Sequence, residues 1–314
     1  MHPLRFCLLL VAALWSLAIQ ARDFVVFGDS LSDGGNAALA VLGTGASFEQ
    51  IPFMPPPLGN DLDRIPAAPY ALDPANPFAA RFSDGPVWIE QLAARGGALL
   101  LPSLAGGTNY AFGGAASGPL PGIPADFVPT LRQQADQYLA ALGGGVIADG
   151  TVHVVFGGGN DVRQSLGTTD YRQLLALVNA SAGNVQGIVR DLLAAGADEV
   201  LVMLVPNVGL APDVRLAGLE RQATFASAAI NIVLLGKLKP QLASRKVRVL
   251  DTFGLVSRVA VRPKRYGLTE VKAPCVDFGS ICTAPGQYLF WDGIHPTTRT
   301  HSILADSAGR LLDR

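Results

Sequence analysis

From Phe24 onward, short apolar runs alternate with stretches of helical periodicity. The runs Phe24 to Phe27, Val152 to Phe156, Val200 to Val205 and Val247 to Leu250 are apolar on both faces, apart from His153 and Arg248. That is the pattern of parallel strands covered on each side by helices. Thr108 to Phe112 is a shorter and weaker fifth candidate. Between these runs the spacing predicts helices near Val87 to Ala94, Leu131 to Leu142, Tyr171 to Ala195, Leu216 to Leu242 and Thr297 to Leu312. Strand, helix, strand in this rhythm predicts an α/β fold with a doubly wound sheet and right-handed crossovers. One domain over residues 22–314 accommodates all of these elements.

Two stretches break the rhythm. Met1 to Arg5 carries one arginine and no acid, Phe6 to Ile19 is apolar apart from Ser16, and Ala21 precedes a charged pair. This order matches a secretory signal over residues 1–21, and the apolar part is short for a membrane span. Residues 51–86 hold nine of the 22 prolines together with Phe53, Tyr70, Phe78 and Phe82. Proline prevents both helix and central strand there, so a long loop or lid over one end of the sheet is expected. Ligands of open parallel sheets bind outside the carboxyl ends of the strands, where such a loop helps to wall the crevice.

Composition narrows the function. With 314 residues, 49% hydrophobic and 16% charged, the chain buries a full core and is not intrinsically disordered. A net charge of −1 offers no field to hold nucleic acid. Of three cysteines, Cys7 leaves with the signal, whereas Cys275 and Cys282 lie seven apart around Gly279. In an oxidising compartment the pair reads as one disulfide, and otherwise as two buried thiols. Without nearby histidine they make a poor zinc site. A secreted or periplasmic protein without an integral membrane anchor is expected, because the last helical stretch runs almost to the end of the chain.

The first strand ends in Gly28-Asp29-Ser30-Leu31-Ser32-Asp33-Gly34-Gly35-Asn36. A serine directly after a buried strand sits where a turn exposes its hydroxyl, although Ser, Asp and Asn there also suit a helix cap. A serine nucleophile needs a base. His153 lies inside an apolar strand and His301 inside the last helix, which leaves His295 in Asp292-Gly293-Ile294-His295-Pro296. Pro296 keeps His295 out of helical geometry. Asp292, three residues earlier, can orient one ring nitrogen while the other accepts the serine proton. A lone Asp-x-x-His also suits a turn or a metal-ligand pair. Oxyanion donors stand at two other strand ends, in Asn109-Tyr110-Ala111-Phe112-Gly113-Gly114 and Gly157-Gly158-Gly159-Asn160-Asp161, where tight turns and a helix cap are the alternatives.

Taken together, the blocks Gly28-Asp29-Ser30-Leu31, Asn109 to Gly113, Gly158-Gly159-Asn160-Asp161 and Asp292-Gly293-Ile294-His295 resemble the SGNH hydrolases, also called GDSL esterases and lipases. The resemblance implies Ser30 as nucleophile, His295 as general base and Asp292 as its orienting acid. It further implies an oxyanion hole of the Ser30 N–H, the Gly113 N–H and the Asn160 amide, with Gly114 adjoining Gly113. The family's fold is a flavodoxin-like three-layer α/β/α sandwich, which leads us to expect a mostly parallel five-stranded sheet. No cofactor or metal is implied, and the partner is an acyl ester or lipid.

No Gly-x-Ser-x-Gly elbow, dinucleotide fingerprint or phosphate loop competes. Two other classes remain on the page. A metal-dependent phosphoesterase would use Asp29, Asn160, Asp161, Asp292 and His295 as ligands, but such centres usually draw on more histidine than this chain has. A non-catalytic binding protein of the same fold would be expected to have lost Ser30, Asn160 or His295. Phospholipids, lysophospholipids, triglycerides, short acyl esters and acetylated sugars all remain open as substrates.

Overall fold

A computed structural model describes residues 22–44, 81–122, 128–277 and 280–314. The expected signal at 1–21, most of the proline-rich segment and Gly279 lie outside the described residues. Strands β1 (Phe24–Gly28), β2 (Val152–Phe156), β3 (Glu199–Met203) and β4 (Val247–Leu250) form one parallel sheet in the order β1-β2-β3-β4. Successive side chains point to opposite faces. Phe24, Val26, Val152, Val154, Phe156 and Leu201 therefore enter one apolar cluster. Val25, Phe27, Val155, Val200, Val202 and Val247 enter another. This explains why the strands read as continuous apolar runs.

The expected fifth strand is not a strand. Thr108 to Phe112 runs parallel beside β1, with hydrogen bonds Val26 N to Thr108 O, Tyr110 N to Val26 O and Phe112 N to Gly28 O of 2.8 to 3.1 Å. At its centre Asn109 bridges Val26 of β1 on one side and Pro102 on the other, its own N–H and C=O bonded to Leu101 and Ser103 and its side-chain amide to the Ser32 carbonyl, so the pairing is a single bridge and not an extended ladder. The sheet thus has four strands and one hydrogen-bonded flanking segment. The chain leaves β1 for this segment on one side and later returns as β2 on the other, the strand order of a flavodoxin-like sheet. The carboxyl end of β1 is consequently the switch point where such sheets bind ligands.

Both faces are covered by helices: α1 (Asn36–Thr44), α2 (Trp88–Arg95), α3 (Leu131–Ala141), α4 (Gly159–Ser165), α5 (Tyr171–Ala194), α6 (Pro212–Leu216), α7 (Glu220–Leu242), α8 (Thr252–Val261) and α9 (Thr298–Leu312). On one face α2 and α9 pack through Trp88, Ile89, Leu92, Ile303, Leu304 and Ala308. On the other α3 and α5 contribute Leu131, Tyr138, Val185, Ile188 and Leu192. The stretch expected as one helix from Leu216 to Leu242 is divided between α6 and α7, because Gly218 takes φ +70° and the chain turns there. Four short strands precede α9. β5 (Glu270–Pro274) pairs in parallel with β8 (Tyr288–Phe290), and β6 (Val276–Asp277) pairs with β7 (Ser280–Ile281). Among the described residues no helix is long and apolar enough to cross a membrane.

Candidate active site

The turn after β1 is built to present Ser30. The Gln134 side chain caps the end of β1, accepting from Gly28 N at 2.9 Å and donating to Gly28 O at 3.0 Å. A Cβ on Gly28 would lie 2.9 Å from the Phe156 carbonyl, so only glycine permits this approach of β1 to β2. Asp29 then closes the turn. Its carbonyl accepts from Ser32 N and Asp33 N, and its Oδ1 from Leu31 N, each at 3.0 Å. Ser30 rides on this turn, 7% exposed.

From the other end of the chain, the turn before α9 meets it. Asp292 Oδ1 accepts from Ile294 N at 2.8 Å and His295 N at 2.6 Å, which folds the turn back on itself. That leaves Asp292 Oδ2 2.7 Å from His295 Nδ1, while His295 Nε2 lies 2.9 Å from Ser30 Oγ. Three side chains spread over 265 positions thus form one continuous hydrogen-bonded line, buried but for a few per cent. The short Asp292 contact fixes Nδ1 as the protonated nitrogen, so Nε2 is the one facing the hydroxyl as acceptor.

The sequence missed what braces this turn. Arg81 to Pro86, read as part of the irregular loop, packs the Phe82 ring 5.2 Å from the His295 ring, centroid to centroid. Ser83 Oγ donates to the Pro296 carbonyl at 2.9 Å, and Asp84 accepts from Thr298 N at 2.6 Å at the start of α9. The described end of the proline-rich segment expected as a loop or lid thus clamps the turn before α9. A second brace is covalent. Cys275 and Cys282 form a disulfide, and Cys275 N and Val276 N donate to the Phe290 and Trp291 carbonyls, directly before Asp292. Replacing both cysteines by serine is expected to cost about 2 to 3 kcal/mol at most, as befits so short a loop, and to lower kcat through the loosened turn. Denaturant titration and steady-state kinetics check this; unchanged kcat would contradict the clamp.

The expected oxyanion donors divide. Asn160, at the start of α4, donates one amide proton to the Ala115 carbonyl at 3.0 Å and lines the same cleft as Ser30 and His295. The Gly113 N–H, by contrast, donates to Asp33 Oδ2 at 2.8 Å. Asp33, buried, also accepts from the N–H groups of Gly35, Asn36 and Ala37. The Asn36 amide in turn holds the Asn109 and Ala111 carbonyls. These two residues tie the turn after β1 to the glycine segment. Sequence reading saw only their helix-capping character. Among the described residues the neighbouring Gly114 N–H, at φ +82°, meets no acceptor.

Burial sets the charges. It pushes the Asp29 carboxyl up to about 7, against the opposing pull of the Leu31 N–H and His295, and it raises Asp33 and Asp161 as well. Asp161 is held by the Ser117 N–H at 2.9 Å and by the Ser117 hydroxyl, and Asp292 is committed to its own turn. Among the described residues no three His, Cys, Asp or Glu side chains converge as a metal site would require.

The other two histidines among the described residues are buried. His153 Nε2 lies 3.0 Å from the Tyr138 hydroxyl, and burial lowers the imidazole to about 4. His301 is wholly buried in α9 with neither ring nitrogen hydrogen-bonded, and burial, with His295 nearby, lowers it to about 3. Between about 3 and the ordinary 6.5 the unfolded chain binds a proton that folded His301 refuses, so its contribution to stability is lost as pH falls through that window. Asp29 acts in the opposite sense, binding a proton when folded between 3.8 and about 7. In His301→Leu, the slope of stability against pH between 4 and 6 is expected to fall by about one proton, roughly 1.4 kcal/mol per pH unit. Chemical denaturation across this range tests the change, and parallel curves for the two proteins would contradict it.

A cleft of about 90 Å³ opens at Ser30 and runs beneath α9 and α8. Its walls include Leu31, Phe156, Val256, Leu289, Ile294 and Leu304, with Asp29, Asn160 and His295 at the serine and Arg163 on the α4 side.

At the switch point the structure thus brings a serine hydroxyl, an imidazole and a carboxylate into one hydrogen-bonded line beside a largely apolar cleft. Residues 24–308 match the family described as GDSL-like Lipase/Acylhydrolase. The chain belongs to this family. It is 28% identical to the anther-specific proline-rich protein APG of Arabidopsis thaliana, over 75% of this chain and 54% of that protein. It is 25% identical to the thermolabile hemolysin of Vibrio parahaemolyticus, over 91% of this chain and 63% of that protein. The match spans about half the length of APG and of the Arabidopsis GDSL esterase/lipase At1g06990. A solved member of the lipolytic protein G-D-S-L family from Veillonella parvula superposes with a TM-score of 0.46 at 12% identity, covering 93% of this chain and 98% of that one.

Proposed function

We propose that this protein hydrolyses carboxylic acyl esters through a covalent acyl-serine. His295 Nε2 takes the Ser30 hydroxyl proton as Oγ attacks the ester carbonyl carbon. The carbonyl π pair moves onto oxygen as an oxyanion, then returns as the bond to the alkoxy oxygen breaks, and the imidazolium protonates the departing alcohol. Water, deprotonated by the same nitrogen, attacks the acyl carbon, the bond to Ser30 Oγ breaks to release the acid, and the imidazolium returns its proton to Oγ. Asp292 keeps the proton on Nδ1 and stabilises the imidazolium. The oxyanion is met by the Ser30 N–H, the second amide proton of Asn160 and the Gly114 N–H, since the Gly113 N–H is engaged by Asp33.

The observation that carries this reading is the line from Asp292 through His295 to Ser30, with both of its links under 3 Å. The commitment of Asp292 to His295 and of Asp161 to Ser117 supports a serine mechanism over a two-metal one. Export through residues 1–21 to the periplasm or beyond belongs to the same reading, and the disulfide supports it because such bonds persist in oxidising compartments. The test is hydrolysis of p-nitrophenyl acyl esters with chelator or with a serine-directed phosphonate. Turnover that survives chelator and is abolished by phosphonate is expected. Chelator-sensitive, phosphonate-resistant turnover would overturn the assignment.

A further inference from the structure

We infer that the cleft is an acyl-chain ruler for short alkyl chains, with Leu304 and Leu289 as its floor. The inference rests on the acyl-serine reading above and names which esters that site accepts.

The cleft changes character along its length. Near its mouth the apolar walls are partly exposed, at Leu31, Pro206, Val208, Val256 and Ile294. Farther in, Phe156, Leu289, Thr300 and Leu304 are 3% exposed or less, and the three apolar ones belong to the main core cluster behind them. A floor backed by a packed core does not yield cheaply, because interiors are close-packed and an inserted methylene forces neighbours off their rotamers. The hydroxyls of the two threonines buried in its lining are both engaged, Thr300 Oγ1 donating to the Leu289 carbonyl at 2.9 Å and Thr252 Oγ1 to the Leu204 carbonyl. The floor therefore offers contact to unsubstituted alkyl groups and no partner for a hydroxylated chain.

The volume sets the length. A dry cavity of about 150 Å³ holds a benzene molecule, so about 90 Å³ has room for roughly four carbons. The closed end suits the acyl part of the ester rather than the alcohol. The acyl group stays bonded to Ser30 until water attacks, whereas the alcohol must first leave the site. Chains beyond about four carbons then meet Leu304 and Leu289, and each methylene that finds no room lowers kcat/KM by about tenfold or more.

The experiment is a series of p-nitrophenyl esters with acyl chains of two, four, six, eight and twelve carbons. The wild-type protein is expected to peak at two to four carbons and to fall at least about tenfold by eight. Leu304→Ala removes three carbons from the floor and should move the peak to six or eight carbons, while volume-conserving Leu304→Met should leave it in place. Val256→Phe fills the cleft from its partly exposed wall and should move the peak to acetyl; this variant decides the matter if Leu304→Ala does not fold. Equal turnover of twelve- and four-carbon esters by the wild type, or an unmoved peak in folded Leu304→Ala or Val256→Phe, would overturn the ruler. A wild-type protein that cleaves none of the esters would instead overturn the acyl-serine reading beneath it.

Discussion

Asp292→Asn is expected to lower kcat about 10⁴-fold while leaving the fold in place. The substitution is isosteric, and an amide oxygen at the Oδ1 position can still accept from the Ile294 and His295 N–H groups that shape the turn. The change falls on the other atom. Where Asp292 Oδ2 accepts from His295 Nδ1 at 2.7 Å, asparagine presents an N–H donor. The imidazole answers by moving its proton to Nε2, which turns the nitrogen facing Ser30 from an acceptor into a donor. A base with its accepting nitrogen blocked cannot take the serine proton. The effect should appear in kcat with little change in KM, because the orientation of the ring matters to the reaction and not to substrate binding. Steady-state kinetics on a variant with wild-type circular dichroism provides the check, and a loss under tenfold would contradict the role given to Asp292.

Ser30→Ala should be more severe, with kcat reduced by about 10⁴- to 10⁶-fold. The Ser30 hydroxyl has one hydrogen-bond partner among the described residues, His295 Nε2, and the turn that carries it is held by backbone groups of Asp29, Ser32 and Asp33. Its removal therefore takes the nucleophile and spares the scaffold. Stability should change by less than about 1 kcal/mol, as expected for a side chain outside the packed core. Any residual hydrolysis would come from binding and from the oxyanion donors acting on water. A folded alanine variant with near-normal turnover would place the nucleophile elsewhere.

Much of this was legible in the sequence because the governing signals are local. Buried parallel strands must be apolar on both faces, so all four appear as short apolar runs with boundaries within a residue or two of the observed ones, save the longer carboxyl end given to β3. Ser30, Asn160 and His295 stand directly after strands or before helices, where chain order alone betrays a sheet-edge site. What escaped depends on contacts between distant segments. Nothing in Phe82-Ser83-Asp84 shows that it braces a turn more than 200 residues away. The glycine pair at Gly113 and Gly114 is ambiguous until Asp33 is seen to occupy the first N–H. Thr108 to Phe112 has strand-like residues, yet its pairing with β1 is a single bridge at Asn109, whose other side pairs with Pro102. The break between α6 and α7 turns on the φ of Gly218, which periodicity does not encode.

The central claim is that Ser30, activated by His295, forms a covalent bond to the acyl group. Incubation with an excess of a fluorophosphonate, followed by proteolysis and mass spectrometry of the labelled peptide, tests it most directly. One phosphonate per chain is expected, on Ser30, with loss of activity in proportion to labelling and no adduct in Ser30→Ala. An active enzyme labelled on another residue, or one that keeps full turnover with Ser30 unlabelled, would contradict it.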